Sequence, residues 1–303
     1  MSARQFHGWP SRMPAGRIAY VNGRYLPLAQ AGVHIEDRAL QFADGIYEVV
    51  GVLGGLVLDE EHHLDRLERS VGEIGMAMPM EREPLKFVIR EMARRNRVVD
   101  GLIYMQVTRG VYRRDHAIPL TPSRPTLIMT ARPMNPLAND KRREQGVAVI
   151  TQPDQRWARC DIKSTALLPN ILAKTEARNA GAFEAWLIDR DGFITEGSST
   201  SAWIVDEDGN IVTRDLSNAI LPGVTRREIM DAAAEAQITI VERKFTPDEA
   251  LAAREAFMSA ATLGATAIVS IDGKPVGDGR PGPVTRRLQE LYLRRAEKLA
   301  SAT

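Results

Sequence analysis

Apolar positions along the chain switch between strand-like and helical spacing, and the switches mark its elements. Ile18–Val21, the turn residues Asn22 and Gly23, and Arg24–Leu28 predict a hairpin. Ile46–Leu53, Gly54-Gly55 and Leu56–Leu58 predict a second one. Leu64, Leu67 and Val71 recur at helical spacing and place a helix over roughly Glu60–Ile74, and another follows over about Glu83–Asn96. Leu102–Thr108 and Thr126–Ala131 read as buried strands. The pattern then restarts. Strands are expected at Val147–Gln152, Ala185–Ile188, Ser201–Val205, Ile211–Thr213, Ile238–Val241, Ala256–Ser259 and Ala267–Ile271. Helices are expected at Leu168–Ala180, Gly223–Ala236, Pro247–Ala252 and Val284–Leu299, with turns at Asp189–Gly192 and Asp206–Asn210.

Between the two halves, Arg132–Asp140 holds two prolines and two asparagines and reads as a linker. The expectation is an α+β chain. Residues 1–17 form an N-terminal extension, 18–132 a smaller N-terminal domain, 133–140 an interdomain linker and 141–303 a larger C-terminal domain.

Composition narrows the function. Hydrophobic residues make up 44% of the 303 residues, enough for a real core. Forty basic residues face 39 acidic ones, which leaves no electrostatic footprint for nucleic acid or an anionic membrane. The single cysteine, Cys160, excludes a disulfide scaffold and fits a reducing compartment. The longest uncharged run, Ala256–Ile271, is short of the ~20 residues a membrane helix needs. Arg4, Arg12 and Arg17 have no apolar stretch between them, unlike a secretory signal. A cytoplasmic protein is expected.

Several motifs carry little. Gly277–Gly282 spells G-x-G-x-x-G, but only one helix follows it, so a surface turn is the better reading than a dinucleotide loop. Glu61-His62-His63-Leu64-Asp65 lacks the paired histidines of a zinc helix. The D-x-D-G turns lack the closing glutamate of a calcium loop, and no metal is expected.

Chemistry that needs an amine has few candidates, since only seven basic residues are lysines. Lys163 follows Trp157 in Arg159-Cys160-Asp161-Ile162-Lys163-Ser164; by itself it reads as an ordinary strand-end lysine. Ile194–Ser201 holds Glu196 in what could be a plain polar loop. Leu221–Arg226, L-P-G-V-T-R, opens a helix, and a helix N-terminus binds phosphate through its free N–H groups and dipole.

Taken in order, these blocks match one family. The chain resembles the class IV (fold type IV) pyridoxal-phosphate aminotransferases, and within them the D-amino-acid transaminases. The resemblance spans roughly residues 18–300. It rests on D-R-A-L-Q-F-A-D-G-I-Y-E-V-V at 37–50, H-L-D-R-L at 63–67, Q-V-T-R-G at 106–110 and R-D-H at 114–116. R-C-D-I-K-S at 159–164, T-E-G-S-S at 195–199 and L-P-G-V-T-R at 221–226 complete it. It implies a small α/β domain and a larger domain with barrel-like β-structure.

The resemblance also implies roles. Lys163 would form the Schiff base with the aldehyde of pyridoxal 5′-phosphate and then shuttle the substrate proton. Glu196 would face the pyridine nitrogen and keep it protonated. Arg66, Val224, Thr225 and the backbone of Ala261 would hold the phosphate. Arg114 and His116, on a loop shared across a homodimer, would trap the substrate carboxylate with Tyr47. Without the resemblance, Arg66 reads as a solvated helix charge and the Arg114 loop as a basic surface hairpin.

The sequence departs from the family at Asp115, where a small apolar residue is familiar, at Ser201, where asparagine is expected, and at Ala260-Ala261, which replaces a Ser-Thr pair. The expected reaction passes an amino group between a D-amino acid such as D-alanine and a 2-oxo acid such as 2-oxoglutarate, through a pyridoxamine form. A branched-chain L-amino-acid transaminase and an aminodeoxychorismate lyase of the same fold are the alternatives. The R-x-H loop argues against both.

Overall fold

A computed structural model describes residues 16–121 and 124–301, so most of the expected N-terminal extension lies outside the described residues. Two sheets organise the rest. The first is antiparallel throughout, in the order β2-β1-β6-β5-β3-β4. Its strands are β1 (Ile18–Val21), β2 (Arg24–Pro27), β3 (Gly45–Leu53), β4 (Leu56–Val57), β5 (Gly101–Thr108) and β6 (Thr126–Pro133). A short helix, α1 (Arg38–Phe42), precedes β3; α2 (Glu60–Glu73) and α3 (Arg82–Arg95) cover one face. Strand alternation sorts the side chains. Ile46, Val50, Ile103, Met105, Leu127 and Met129 pack under Leu64, Leu67, Leu85, Ile89 and Met92 of the helices. Tyr47, Val49, Tyr104, Thr130 and Arg132 turn the other way, into a cavity.

The stretch expected to be an interdomain linker carries regular secondary structure. Strand β6 runs on to Pro133, and Pro136–Gln145 is helix α4. The residues that suggest a loop are those that start a helix. The Asn135 side chain accepts from the Leu137 N–H, and Pro136 sits in the first turn, where its missing N–H costs nothing.

The second sheet has nine strands. In chain order they are β7 (Val147–Pro153), β8 (Glu184–Ile188), β9 (Ile194–Gly197), β10 (Ser201–Val205), β11 (Ile211–Thr213), β12 (Ile240–Glu242), β13 (Glu255–Ala260), β14 (Gly264–Ile271) and β15 (Lys274–Pro275). The ladder runs β12-β11-β10-β13-β14-β7-β8-β9, with β15 paired to β14. Strand β9 lies at one edge and β10 beyond four intervening strands, yet only residues 198–200 join them. So short a link forces the sheet to curl on itself, giving the barrel-like structure expected. The helices α5 (Leu168–Asn179), α6 (Val224–Glu235), α7 (Pro247–Ala252) and α8 (Pro283–Ser301) pack around it. Among the described residues, no helix is long and apolar enough to cross a membrane.

The Gly277–Gly282 segment is a turn leading into α8, with no strand-to-helix phosphate loop. Its last glycine has a specific task. A Cβ at residue 282 would fall on the Glu255 carboxylate, which accepts from the N–H of Val284 (2.9 Å) and of Thr285 (2.8 Å) and from Thr285 Oγ1 (2.7 Å). A buried strand carboxylate thus caps the last helix and complements its dipole. Replacing Glu255 with Ala should cost about 3 kcal/mol, read as a lower urea midpoint. A variant as stable as the parent would show that α8 docks without this cap.

Candidate active site

The segment after Trp157 crosses to the first sheet. Tyr47 N–H donates to the Lys163 carbonyl (3.0 Å), Ser164 bridges to Ile46, and Thr165 N–H donates to the Gly45 carbonyl (2.9 Å). Gly45 permits this approach, since a Cβ there would stand 3.1 Å from the Val107 carbonyl and 3.4 Å from Thr165 Oγ1. The Lys163 side chain is thereby aimed across Tyr47. Its Nζ lies 3.3 Å from the Tyr47 hydroxyl and 4.3 Å from the ring centroid.

The amine enters a cavity of about 680 Å³ between the two sheets. Glu196, on β9, lines the same cavity. Its carboxylate pairs with Arg156 and accepts from the Leu221 N–H at 3.2 and 3.3 Å. Burial raises the Glu196 pKa against the opposing pull of Arg156, the Leu221 N–H and Lys163. Arg156 is itself gripped by Asp154, through Nε (3.0 Å) and Nη2 (2.7 Å), and by the Ala219 carbonyl.

Arg66 sits on α2 at the cavity wall. It is no solvated helix charge: its Nε and Nη2 fork onto Glu48 at 2.7 and 2.8 Å, and Nη1 donates to the Pro222 carbonyl at 3.1 Å. His63 Nδ1 bonds the same carboxylate at 2.8 Å. Burial alone would raise the Glu48 carboxyl, but Arg66 and His63 hold it well below the ordinary carboxylate range. Burial in turn pushes the His63 pKa down. His63 is therefore part of a buried ion cluster.

Helix α6 begins at Val224, with Gly223 as its cap and no capping side chain. Gly223, Val224 and Thr225 line the cavity, as do Ser201 and Ala261. A Cβ on Gly223 would meet Ser201 Oγ at 3.1 Å, so the helix start comes in close. Thr200 Oγ1 is buried on the same wall without a partner among the described residues. An amine, a facing carboxylate, an uncapped helix N-terminus and a buried arginine share one cavity. This donor set fits pyridoxal 5′-phosphate, which offers an aldehyde, a ring nitrogen and a dianionic phosphate.

Arg114 and His116 are not brought to Lys163 within this chain. They lie on the exposed loop after β5, and neither lines the cavity. That loop is nonetheless held firmly. Buried Arg38 donates to the carbonyls of Asp115 (2.7 Å), His116 (3.4 Å) and Ala117 (3.4 Å), and through Nε to Asp44 (2.7 Å). Asp44 also accepts from Arg109 at 2.7 Å. The Phe42 ring carries Arg114 at 4.6 Å and His116 at 5.4 Å between centres. The unexpected Asp115 turns into its own loop, where Oδ1 accepts the Ala117 N–H at 3.1 Å.

Arg38, Phe42, Asp44, Glu48 and Arg156 thus support the site, and sequence reasoning names none of them. The first four stand inside the D-R-A-L-Q-F-A-D-G-I-Y-E block already noted, so a signal existed. Arg156 had none beyond its closeness to Trp157.

Comparison with known proteins agrees with this geometry. The model of the family described as "Amino-transferase class IV" matches residues 45–271. The chain belongs to that family. It is 38% identical over 270 residues to a D-alanine aminotransferase of Bacillus licheniformis, spanning 88% of this chain and 93% of the relative. It is also 38% identical over 277 residues to a D-alanine aminotransferase of Staphylococcus epidermidis, spanning 90% and 95%. Among solved structures it is similar to a branched-chain amino acid aminotransferase of Escherichia coli, with TM-score 0.85, 25% identity and coverage of 92% and 94%. One from Thermoproteus uzoniensis matches with TM-score 0.80, 26% identity and coverage of 92% and 94%.

Glu48 yields a prediction with a defined sign. Its folded pKa lies below its unfolded value near 4.3, so its contribution is complete above about pH 5 and fades as pH falls. Glu48→Gln leaves Arg66 buried without its counter-charge and should cost about 3 kcal/mol at pH 7. Between pH 7 and pH 3 the gap to the parent should narrow by about 1–2 kcal/mol. Urea unfolding at both pH values checks this; a constant gap would contradict the ionised cluster.

Proposed function

We propose that this class IV aminotransferase moves an amino group between a D-amino acid, such as D-alanine, and a 2-oxo acid, such as 2-oxoglutarate. The observation that carries the proposal is the meeting of the Lys163 amine and the Glu196 carboxylate in one cavity. The donor class rests on relatives named D-alanine aminotransferase at 38% identity, against 25% for the branched-chain enzyme of E. coli. The branched-chain L-amino-acid reading is therefore second.

Bound pyridoxal 5′-phosphate supplies the aldehyde that takes up the amino group and the ring that spreads the charge left when Cα loses its proton. Arg66, the N–H groups of Val224 and Thr225 and the backbone at Ala261 hold its phosphate. Lys163 Nζ anchors the aldehyde carbon. With the cofactor and substrate bound, the same amine would take the proton from the substrate Cα and return it two atoms away, at the former aldehyde carbon. Tyr47, within reach of Nζ, keeps that amine in place. Glu196, made more basic by burial, holds a proton at the ring nitrogen. Donor and acceptor use one cavity in turn, so the kinetics are ping-pong.

Recognition of the substrate carboxylate needs a partner copy in this reading. The Arg114/His116 loop is exposed, and the two segments that meet there carry exposed apolar residues: Val33, Ile35 and Leu40 in the first, Val111, Ile118 and Leu120 in the second. Such a patch fits a homodimer interface that carries the loop to the neighbour's cavity. Arg38 and Phe42 then pre-set the loop, and a planar guanidinium takes the carboxylate with two bonds. Fixing the carboxylate on one side of a fixed ring presents the Cα–H of one enantiomer to Lys163. We further propose that residues 18–132 and 141–303 form the two domains flanking the cavity, in a cytoplasmic enzyme.

The protein mixed with D-alanine and 2-oxoglutarate should release pyruvate and D-glutamate, while L-alanine turns over at least about a hundredfold more slowly. Equal turnover of the L-enantiomer would reject the stereochemical claim. Lys163→Ala and Arg114→Ala should each lose activity by about a hundredfold or more. Mixed after co-refolding, the two variants should regain activity. A dimer with one subunit of each kind holds one intact cavity, its lysine from one copy and its loop from the other. No recovery on mixing would rule out the shared loop.

A further inference from the structure

The charges around the cavity do not balance. Glu196 is its one lining carboxylate, against seven arginine and lysine side chains. Four of those cations are already paired: Arg66 with Glu48, Arg156 with Asp154 and Glu196, Lys174 with Glu184, and Arg226 with Glu242. Lys163 is the reacting amine. That leaves Arg132 and Arg142, neither of which has a carboxylate within 4.0 Å among the described residues.

Arg142 is held in a set direction. On α4, its Nη1 donates to Asn139 Oδ1 (2.8 Å) and to the Ala138 carbonyl (3.2 Å), and its guanidinium lies 5.1 Å from the Phe183 ring centre. Asn139 is buried and tied in turn to the Thr262 carbonyl (3.2 Å), on the turn that lines the cavity beside Ala261. Arg142 Nε and Nη2 take no partner among the described residues. This is an arginine fixed on one edge of its fork and open on the other. Arg132, on β6, pairs with Leu102 across the ladder, two residues from the Tyr104–Thr130 pair. It thus stands on the cavity face of the first sheet, in line with Tyr104, which stacks on Tyr47 at 5.7 Å. The core face at this point is taken by Ala131.

We propose that Arg142 and Arg132 form a subsite for the distal carboxylate of a dicarboxylic substrate, a 2-oxo dicarboxylic acid or the matching acidic amino acid. The proposal rests on the aminotransferase reading, since it places the reacting end of that substrate at Lys163. A planar, pre-oriented guanidinium with two free donors suits a carboxylate, and a second cation nearby offsets the second negative charge. The pairing of the other wall cations leaves these two groups as the destination for that charge. A monocarboxylic substrate such as pyruvate has no second carboxylate to offer them.

The test uses the holoenzyme with one donor and two acceptors, pyruvate and 2-oxoglutarate, in the parent, Arg142→Ala, Arg132→Ala and the double variant. The ratio of kcat/KM for 2-oxoglutarate over pyruvate should fall about tenfold or more in the double variant, the size expected for losing a charge-assisted carboxylate contact. Arg142→Lys should restore part of the ratio. An unchanged ratio would overturn the subsite. A separate readout does not depend on turnover or on substrate handedness: calorimetric titration with glutarate and with butyrate. Glutarate should bind the parent more tightly than butyrate, and the double variant should lose that preference. If the parent shows no D-amino-acid activity but keeps this preference, the functional reading fails and the subsite stands. If it transaminates D-alanine without preferring glutarate, the subsite fails and the reading stands.

Discussion

The site depends on one backbone contact, the laying of residues 163–165 along the start of β3. Lys163 belongs to a segment between β7 and α5, in the half of the chain that builds the curled sheet. Tyr47 N–H, the Ser164–Ile46 bridge and the Gly45 carbonyl fasten that segment to the first sheet. The amine is thereby fixed against Tyr47, in the cavity that Glu196 also lines. Side-chain hydrogen bonds could not do this alone, because a lysine has four rotatable bonds and loses them only at a cost in entropy. Anchoring the backbone reduces the problem to one side chain over one ring.

Around that anchor the protein keeps charge buried and compensated. Glu48 projects from the helix-covered face of β3, where an unpaired carboxylate would cost several kcal/mol. Arg66 and His63 both descend from α2 to meet it, so the helix is registered on the sheet by an ion cluster as well as by Leu64 and Leu67. Arg66 then spans to the Pro222 carbonyl, beside the start of α6. The position of α2 and its tie to the start of α6 are thus set by the same guanidinium. Asp154–Arg156–Glu196 plays the matching part at the other end of the cavity.

Much of this was legible in the sequence. Apolar period located nearly every strand and long helix, and the lysine, glutamate and helix-start blocks located the cavity residues. What escaped was information that no local pattern carries. The secondary structure of Arg132–Asp140 escapes a local reading because proline and asparagine mark loops and helix starts alike, and only the tertiary path of β6 into α4 separates the two. Strand β9 read as a polar loop because Thr195 and Glu196 find buried partners, Asp154 and Arg156, that lie some forty residues earlier in the chain. Arg38 carries no sign of its partners in its local sequence. Its task, holding three carbonyls of a loop far along the chain, appears only when the two segments meet.

The same reasoning explains why Arg114 and His116 face away from the cavity of their own chain. A loop meant to move freely would not be tied by a buried arginine whose own charge is held by Asp44, itself shared with Arg109. Removing those three carbonyl contacts would leave Arg38 buried with unspent donors, which costs more than the contacts gain in water. The loop is therefore held in place by Arg38, exposed and away from the cavity. If that loop binds substrate, as proposed, it serves a cavity other than its own. In the proposed homodimer a second copy arranged about a two-fold axis would satisfy both sites at once.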